Sequence, residues 1–404
     1  MRRQVEGSRA VAEAVARCRP QVISAYPISP QTHIVEGLSR MVKAGELTGC
    51  EFINVESEFG AMSVVIGASA TGSRAYTATA SQGLLYMAEA VFNAAGMELP
   101  IVMTVANRAI GAPINIWNDH SDAMSQRDCG WLQLYAADNQ EAADLHVQAF
   151  RLAETLSLPV MVCMDGFVLT HAYEEVDLPE QEQVDVFLPP LRPQQVLDPD
   201  HPVTIGTMVG PEAFTEVRYL AHLRHREALT LLGEVATDFE AAFGRPGARL
   251  VRPYRCSDAA TVVVSLGSVQ GTMADVVDER RDQYSSVGSL GITSFRPFPH
   301  LAVRVALAAA RRVVVLERSL SLGTIGPVTA DVREALAGSS VEVVSVVAGL
   351  GGRPITKASL HGMVDRAERG ELEPMSFLDL DQAVVDRELA RRGPADLSSA
   401  EVGS

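Results

Sequence analysis

The chain has 404 residues, 47% hydrophobic and 21% charged, the balance of a globular protein with a sizeable core. At about 150 residues per domain it has room for two or three. The formal net charge of −16, relieved only by isolated pairs such as Arg311-Arg312 and Arg391-Arg392, argues against nucleic acid as a partner. Five scattered cysteines, none spaced Cys-x-x-Cys, argue against a disulfide framework and against a four-cysteine zinc or iron–sulfur site. They fit a reducing, cytoplasmic setting. Glu6, Glu13 and Arg17 interrupt any signal-peptide core, and the apolar run 301–316 carries Arg304, Arg311 and Arg312, so no membrane span is expected.

In chain order, the first part alternates apolar runs with amphipathic ones, the pattern of βα units around a parallel sheet. Residues 5–17 read as a helix, 21–26 as a strand, 31–42 as a helix and 51–55 as a strand. A helix of mostly small residues follows at 57–69, then a strand at 74–80, a helix at 83–95 and a strand at 101–106. Residues 109–131 show no period and are rich in Asn, Asp, Pro and Gly; a loop that long inside a compact domain is usually functional. A helix at 141–155 and a buried strand at 159–164 close this unit. Prolines and acidic residues dominate 174–202, which reads as an extended excursion, and 212–243 is a long charged helix. A second α/β unit begins near Ser257, with strands at 260–265, 287–294, 312–317 and 341–347 and helices at 269–281, 302–310 and 323–337. The expected division is 1–250, 251–385 and a disordered tail at 386–404.

Candidate chemistry gathers at strand ends, where open α/β sheets bind ligands. Tyr26-Pro27-Ile28-Ser29-Pro30 is a stiff turn that would fix the Ser29 hydroxyl. Glu56-Ser57-Glu58 opens the small-residue helix, which has no charged face and is therefore expected to be buried. A carboxylate at the mouth of a buried helix is costly without a partner, which singles out Glu58. Thr79-Ala80-Ser81-Gln82-Gly83 serves as a cap or a ligand loop. Arg108, after the strand 101–106, is suited to a two-pronged grip on a carboxylate, or to a structural ion pair. His120, flanked by Asp119 and Asp122, is more often simply hydrogen bonded than catalytic.

These segments closely resemble the α subunit of pyruvate:ferredoxin oxidoreductase: Tyr-Pro-Ile-Ser-Pro-Gln-Thr at 26–32, Glu-Ser-Glu-x-Gly-Ala at 56–61, Thr-Ala-Ser-Gln-Gly-Leu at 79–84, Asn-Arg-Ala-Ile at 107–110 and Trp-Asn-Asp-His-Ser-Asp at 117–122. Gln126-Arg127-Asp128, Gly130-Trp131, Arg296-Pro297-Phe298-Pro299 and Gly349-Leu350-Gly351-Gly352-Arg353 extend the likeness from about residue 5 to 370. The resemblance implies an α/β fold: a parallel-sheet, pyrimidine-type thiamine-diphosphate domain followed by a transketolase C-terminal-like domain. It implies that Glu58 bonds N1′ of the aminopyrimidine ring, that Arg108 and Ser29 bind the 2-oxoacid, and that Pro27, Ile28 and Gln82 also contact the cofactor. The family usually has threonine at the position of Ser29; serine keeps the hydroxyl but places it more loosely.

The sequence holds no Gly-Asp-Gly diphosphate motif, Met164-Asp165-Gly166 being the nearest, and no cluster cysteines. The resemblance therefore implies partner chains: a β subunit with the diphosphate and Mg2+ site, a small ferredoxin-like δ subunit and, in four-subunit forms, a γ subunit, with [4Fe-4S] clusters on the partner subunits and ferredoxin as acceptor. The implied reaction is coenzyme A-dependent oxidative decarboxylation of pyruvate to acetyl-CoA and CO2. The alternatives are the same chemistry on 2-oxoisovalerate, 2-oxoglutarate, oxalate or an arylglyoxylate, or a non-catalytic assembly subunit. A nicotinamide dehydrogenase is disfavoured because the glycines at 267–271 and 349–352 fail the Gly-x-Gly-x-x-Gly spacing.

Overall fold

A computed structural model describes residues 2–392. Its strands are β1 (Arg2–Glu6), β2 (Val22–Ala25), β3 (Glu51–Asn54), β4 (Ala75–Thr79), β5 (Ile101–Asn107), β6 (Leu132–Tyr135), β7 (Val160–Asp165), β8 (Tyr173–Asp177), β9 (Val251–Tyr254), β10 (Thr261–Ser265), β11 (Val287–Ile292), β12 (Ser294–Arg296), β13 (Arg312–Glu317), β14 (Glu342–Val347) and β15 (Met375–Phe377). The helices in chain order are α1 (Gly7–Arg17), α2 (Thr32–Lys43), α3 (Glu58–Ala70), α4 (Ser81–Tyr86), α5 (Ala88–Gly96), α6 (Ser121–Ser125), α7 (Asn139–Leu156), α8 (Gln181–Phe187), α9 (Phe214–Phe243), α10 (Val269–Arg281), α11 (His300–Ala306), α12 (Pro327–Ala335), α13 (Lys357–Arg369) and α14 (Gln382–Arg392).

The first sheet has the order β12-β6-β7-β5-β4-β2-β3, parallel except for β12. Every residue of β4 and β5 is buried, as expected for parallel strands covered by helices on both faces. The second sheet, β15-β14-β13-β10-β11-β9, is parallel except for β9. The expected α/β architecture with two parallel-rich sheets is the one observed. The chain builds β3 on one side of β2 and then β4 on the other. That reversal opens a crevice between the carboxyl ends of β2 and β4, where ligands bind in such sheets.

The two units are joined by a strand. The expected single strand 287–294 breaks at Thr293, and its continuation β12 leaves the second sheet to pair antiparallel with β6 of the first. Apolar side chains of both units, among them Trp131, Tyr135 and Phe295, share one core cluster.

Other expectations need correction. The helix expected at 5–17 starts only at Gly7, because Arg2–Glu6 pair with β8 as an antiparallel ribbon. The helix expected at 83–95 is two helices, broken at Met87. The small-residue helix α3 is not buried all round: Phe59, Ser63 and Gly67 are exposed along one face. The tail expected to be disordered from 386 is helical to Arg392, and 393–404 lie outside the described residues. All five cysteines are unpaired and buried. Among the described residues no helix is long and apolar enough to cross a membrane.

Candidate active site

Glu58 is the first residue of α3, which Ser57 caps by accepting a bond from the Gly60 amide at 3.1 Å. The Glu58 side chain is 8% exposed and has no hydrogen-bond partner among the described residues. It lies against Gly83 of α4. A Cβ at position 83 would stand 2.7 Å from Glu58 Oε1 and 2.6 Å from Thr79 Oγ1, so glycine leaves the only room there. Thr79 Oγ1 is itself buried without a partner. On the same and neighbouring elements the large apolar side chains Ile53, Phe59, Tyr86 and Phe92 are exposed, interspersed with exposed Asn54, Glu56, Glu89 and Asn93.

Arg108 follows β5 and is 7% exposed. Its Nη1 donates to the Ser29 carbonyl at 2.9 Å and its Nε to the Asn115 carbonyl at 3.2 Å, which leaves Nη2 uncommitted. Burial draws its pKa below the ordinary arginine value, and Asp122 opposes that shift. Ser29 is exposed, and its hydroxyl has no partner among the described residues. Pro27 is also exposed and Ile28 half-buried, on the same turn. Gly166 lets that turn approach, since a Cβ there would stand 2.6 Å from Pro30 Cγ. Gln82 is half-buried, accepts a bond from the Ser81 hydroxyl and packs its amide over Gly111. The fold thus brings Ser29, Glu58, Gln82 and Arg108 to one edge of one sheet, on either side of the crevice.

Two residues that sequence reasoning had not singled out hold this edge together. Asp122 is fully buried and accepts four bonds: from Ser81 N, Asn107 Nδ2 and Arg108 N at 2.9 Å each, and from Ala123 N at 2.8 Å. Burial raises its pKa against those donors. It fixes the chain just past β4 and just past β5, and so sets where Gln82 and Arg108 stand. Asp165, at the end of β7, accepts from His120 Nε2 and Arg318 Nη1 at 2.7 Å, from Ser268 N at 3.0 Å and from the Ser268 hydroxyl. Burial alone would raise its pKa, but the Arg318 guanidinium and His120 hold it well below the ordinary carboxylate range. This network spans the seam between the two units. His120 is buried within it, as a hydrogen-bonded residue rather than one facing the crevice. The loop 109–120 is also tied to the second unit: Asn115 Nδ2 donates to the Gly351 carbonyl at 3.1 Å, and Gly351 N donates to Asp119 Oδ2 at 3.0 Å. Gly352 sits over Trp117, with its would-be Cβ 2.4 Å from Trp117 Cβ. The glycine-rich segment 349–353 therefore buttresses the loop that grips Arg108.

Comparison with known proteins places this geometry. The family model described as pyruvate flavodoxin/ferredoxin oxidoreductase, thiamine-diphosphate-binding, matches residues 13–235, and that for pyruvate:ferredoxin oxidoreductase core domain II matches 259–360. The pyruvate synthase subunit PorA of Methanosarcina barkeri is 47% identical over 390 residues, covering 94% of this chain and 97% of that one. The chain belongs to the pyruvate:ferredoxin oxidoreductase family. The PorA subunit of Methanothermobacter thermautotrophicus is 43% identical over 91% of this chain and 95% of its own. The ketoisovalerate oxidoreductase subunit VorA of Pyrococcus abyssi is 39% identical over 92% and 96%. Two solved structures share the fold. A 2-oxoglutarate:ferredoxin oxidoreductase from Magnetococcus marinus has a TM-score of 0.70 at 17% identity, over 91% of this chain and 65% of that one. A split-gene transketolase has a TM-score of 0.55 at 14% identity, over 91% and 99%. Ser29, Glu58, Gln82 and Arg108 all fall within the thiamine-diphosphate-binding match, whereas Ser268 and Arg318 fall within core domain II.

Proposed function

We propose that this chain is the α subunit of a multi-subunit, coenzyme A-dependent pyruvate:ferredoxin oxidoreductase, which converts pyruvate to acetyl-CoA and CO2 and passes two electrons to ferredoxin. The observation that carries the reading is Glu58: a buried carboxylate without a partner among the described residues, beside a glycine that leaves room and a buried Thr79 hydroxyl likewise unpartnered. Such a group needs a donor from a bound molecule. A protonated ring nitrogen of an aminopyrimidine supplies one, so these residues fit thiamine diphosphate. The cofactor, when bound, supplies the nucleophilic carbon and the electron sink for decarboxylation.

This chain's own part is to hold and orient. Glu58 accepts the N1′ proton of the aminopyrimidine, and Gln82, Pro27 and Ile28 line the ring's place. Arg108, with Nη2 free, grips the 2-oxoacid carboxylate. The Ser29 hydroxyl donates to the substrate across the crevice. Both act mainly by positioning. Pyruvate is favoured over branched 2-oxoacids because PorA relatives stand nearer in sequence than VorA. A β subunit supplies the diphosphate and Mg2+ half, and the exposed apolar side chains Ile53, Phe59, Tyr86 and Phe92 belong to the surface it covers. Electron-transfer [4Fe-4S] clusters reside on partner subunits, a ferredoxin-like δ among them, with γ as a further subunit, in a reducing, cytoplasmic setting consistent with five free thiols. Residues 1–250 form the pyrimidine-type domain and 251–385 the transketolase C-terminal-like one.

The test is anaerobic reduction of ferredoxin or a viologen dye by the complex purified through this chain, across pyruvate, 2-oxoisovalerate, 2-oxoglutarate, oxalate and phenylglyoxylate. Coenzyme A-dependent turnover of pyruvate that disappears in Glu58→Gln is the expected result. Preference for another acid changes the substrate; full turnover in Glu58→Gln overturns the site.

A further inference from the structure

Close in sequence to the Ser29 turn lies a group with no part in the chemistry above. Glu6 ends β1, His33 is the second residue of α2, and His171 lies in the turn between β7 and β8. One potential ligand atom from each lies within 4.8 Å of the other two. His33 Nδ1 stands 2.6 Å from Glu6 Oε1, and the two imidazole rings are 4.7 Å apart, tilted by 34°. Among the described residues this is the one place where three such side chains converge.

The backbone beneath the group is fixed. The β1–β8 ladder pairs Glu6 with Tyr173. Gly7 N donates to the Ala172 carbonyl at 3.0 Å, and Ser8 donates to the Thr170 carbonyl through both its amide and its hydroxyl, at 2.9 and 2.8 Å. A Cβ at Gly7 would stand 2.1 Å from the Leu169 carbonyl, so the two segments touch as closely as backbone can. Glu6 and His171 are thereby held in register before any ligand arrives. His171 Nδ1 is engaged by the Thr170 hydroxyl at 2.7 Å, the outer partner that a metal-bound histidine commonly has, which frees its Nε2. A groove of about 500 Å³ walled by Glu6, Arg9, His33, Glu36 and Arg40 opens beside the group and gives an ion access. Of the two cations in that wall, Arg9 is committed to Glu13 at 3.0 Å.

We propose that Glu6, His33 and His171 form a site for a divalent transition-metal ion of the zinc class. Two imidazoles and one carboxylate suit zinc, and three protein ligands leave a fourth position open to water. The ion would couple two parts of the active-site frame. His33 lies four residues beyond Ser29 on the helix that its turn begins. His171 packs on Phe167 at 4.8 Å, and Phe167 packs on Trp117, also at 4.8 Å, in the loop that grips Arg108. Binding at the three ligands thus ties the Ser29 turn to the Trp117 loop without touching substrate.

The experiment is equilibrium dialysis of the complex, purified anaerobically through a tag without histidine, against micromolar zinc, with metal content read by elemental analysis. Wild type should take up one zinc per chain more than His33→Ala or His171→Ala, and zinc should raise the unfolding midpoint of wild type alone. Thr170→Val, which removes the outer partner together with the bond that this hydroxyl accepts from the Phe167 amide, should weaken uptake by roughly 10- to 100-fold. Should His171→Ala fail to fold, His33→Ala decides, because His33 is exposed. Equal zinc in wild type and the folded histidine variants, or none in wild type, would overturn the proposal and leave a plain hydrogen-bonded cluster.

Discussion

Glu58 and Asp165 are both buried carboxylates at the carboxyl edge of the same sheet, and the chain treats them in opposite ways. Asp165 is saturated: an arginine, a histidine, a serine hydroxyl and a backbone amide all point at it. Glu58 receives nothing from the described residues. A buried charge with every lone pair taken belongs to the frame, whereas one left open is waiting for something that is not part of the chain. Mutation should separate the two residues: loss at Glu58 should appear in turnover, and loss at Asp165 in stability.

The largest effect is expected at Glu58. Glu58→Gln should lower turnover by roughly 10²- to 10⁴-fold, the range for a positioned proton-transfer group, with the unfolding midpoint unchanged or raised. Gly83→Ala should act in the same direction, because the new methyl would occupy space within 2.7 Å of Glu58 Oε1. A parallel drop in unfolding midpoint for Glu58→Gln would show that the carboxylate is structural, and the contrast would collapse.

Asp165→Ala comes next. It leaves Arg318 buried without its counter-charge and should cost about 3–5 kcal/mol of stability, read by urea unfolding. The pH dependence has a definite sign. The Asp165 pKa is held below its unfolded value, so its contribution is complete above the ordinary aspartate value of about 3.9 and is lost as pH falls through the folded one. Unfolding midpoints of wild type should therefore drop below about pH 4, and those of Asp165→Asn should drop less. Equal acid sensitivity of the two proteins would exclude this network as its source.

Asp122 stands between these extremes, since it is saturated like Asp165 yet its donors include the Arg108 amide. Asp122→Asn would turn an amide group towards two of its four donors, at a cost of about 1–3 kcal/mol. It would also loosen Arg108, so KM for the 2-oxoacid should rise by roughly tenfold, the equivalent of about 1.4 kcal/mol. If KM is unchanged in a folded variant, Asp122 does not set the position of Arg108.

The same division explains what could be read from sequence. Glu58, Arg108 and Ser29 were visible because each follows an apolar run directly, and a strand end is a local signal. Glu58 stood out further because α3 carries no other charge. The exposed face of α3 was not visible, since an apolar helix covered by another chain has the same pattern as one covered by its own. The seam was not visible for a different reason. Asp165, Ser268 and Arg318 lie at or just past the ends of three strands, with 103 and 50 residues between successive members, and nothing in their spacing says that those strand ends meet. Met164-Asp165-Gly166 drew notice only as an incomplete diphosphate motif, whereas Asp165 holds the two units together. The short strands β6, β9, β12 and β15, of three or four residues each, were missed because they are too brief to show alternation. Helix α13 carries the apolar spacing of an amphipathic helix, with Leu360, Met363, Val364 and Ala367 buried, and could have been found from it.

The smallest expected effect tests the uncommitted side of the crevice at Ser29. Its hydroxyl, like the Glu58 carboxylate, has no partner among the described residues, but it sits on an exposed turn and is free to rotate. Threonine adds one methyl and stiffens χ1, leaving the hydroxyl in place. Ser29→Thr should therefore lower KM for pyruvate severalfold at most and leave kcat unchanged, because no new contact is made to the reacting atoms. The added methyl also takes room from a branched substrate, and one methylene is worth about 1–3 kcal/mol of discrimination. The ratio of kcat/KM for pyruvate over 2-oxoisovalerate should rise accordingly. An unchanged ratio would mean that Ser29 does not face the substrate side chain.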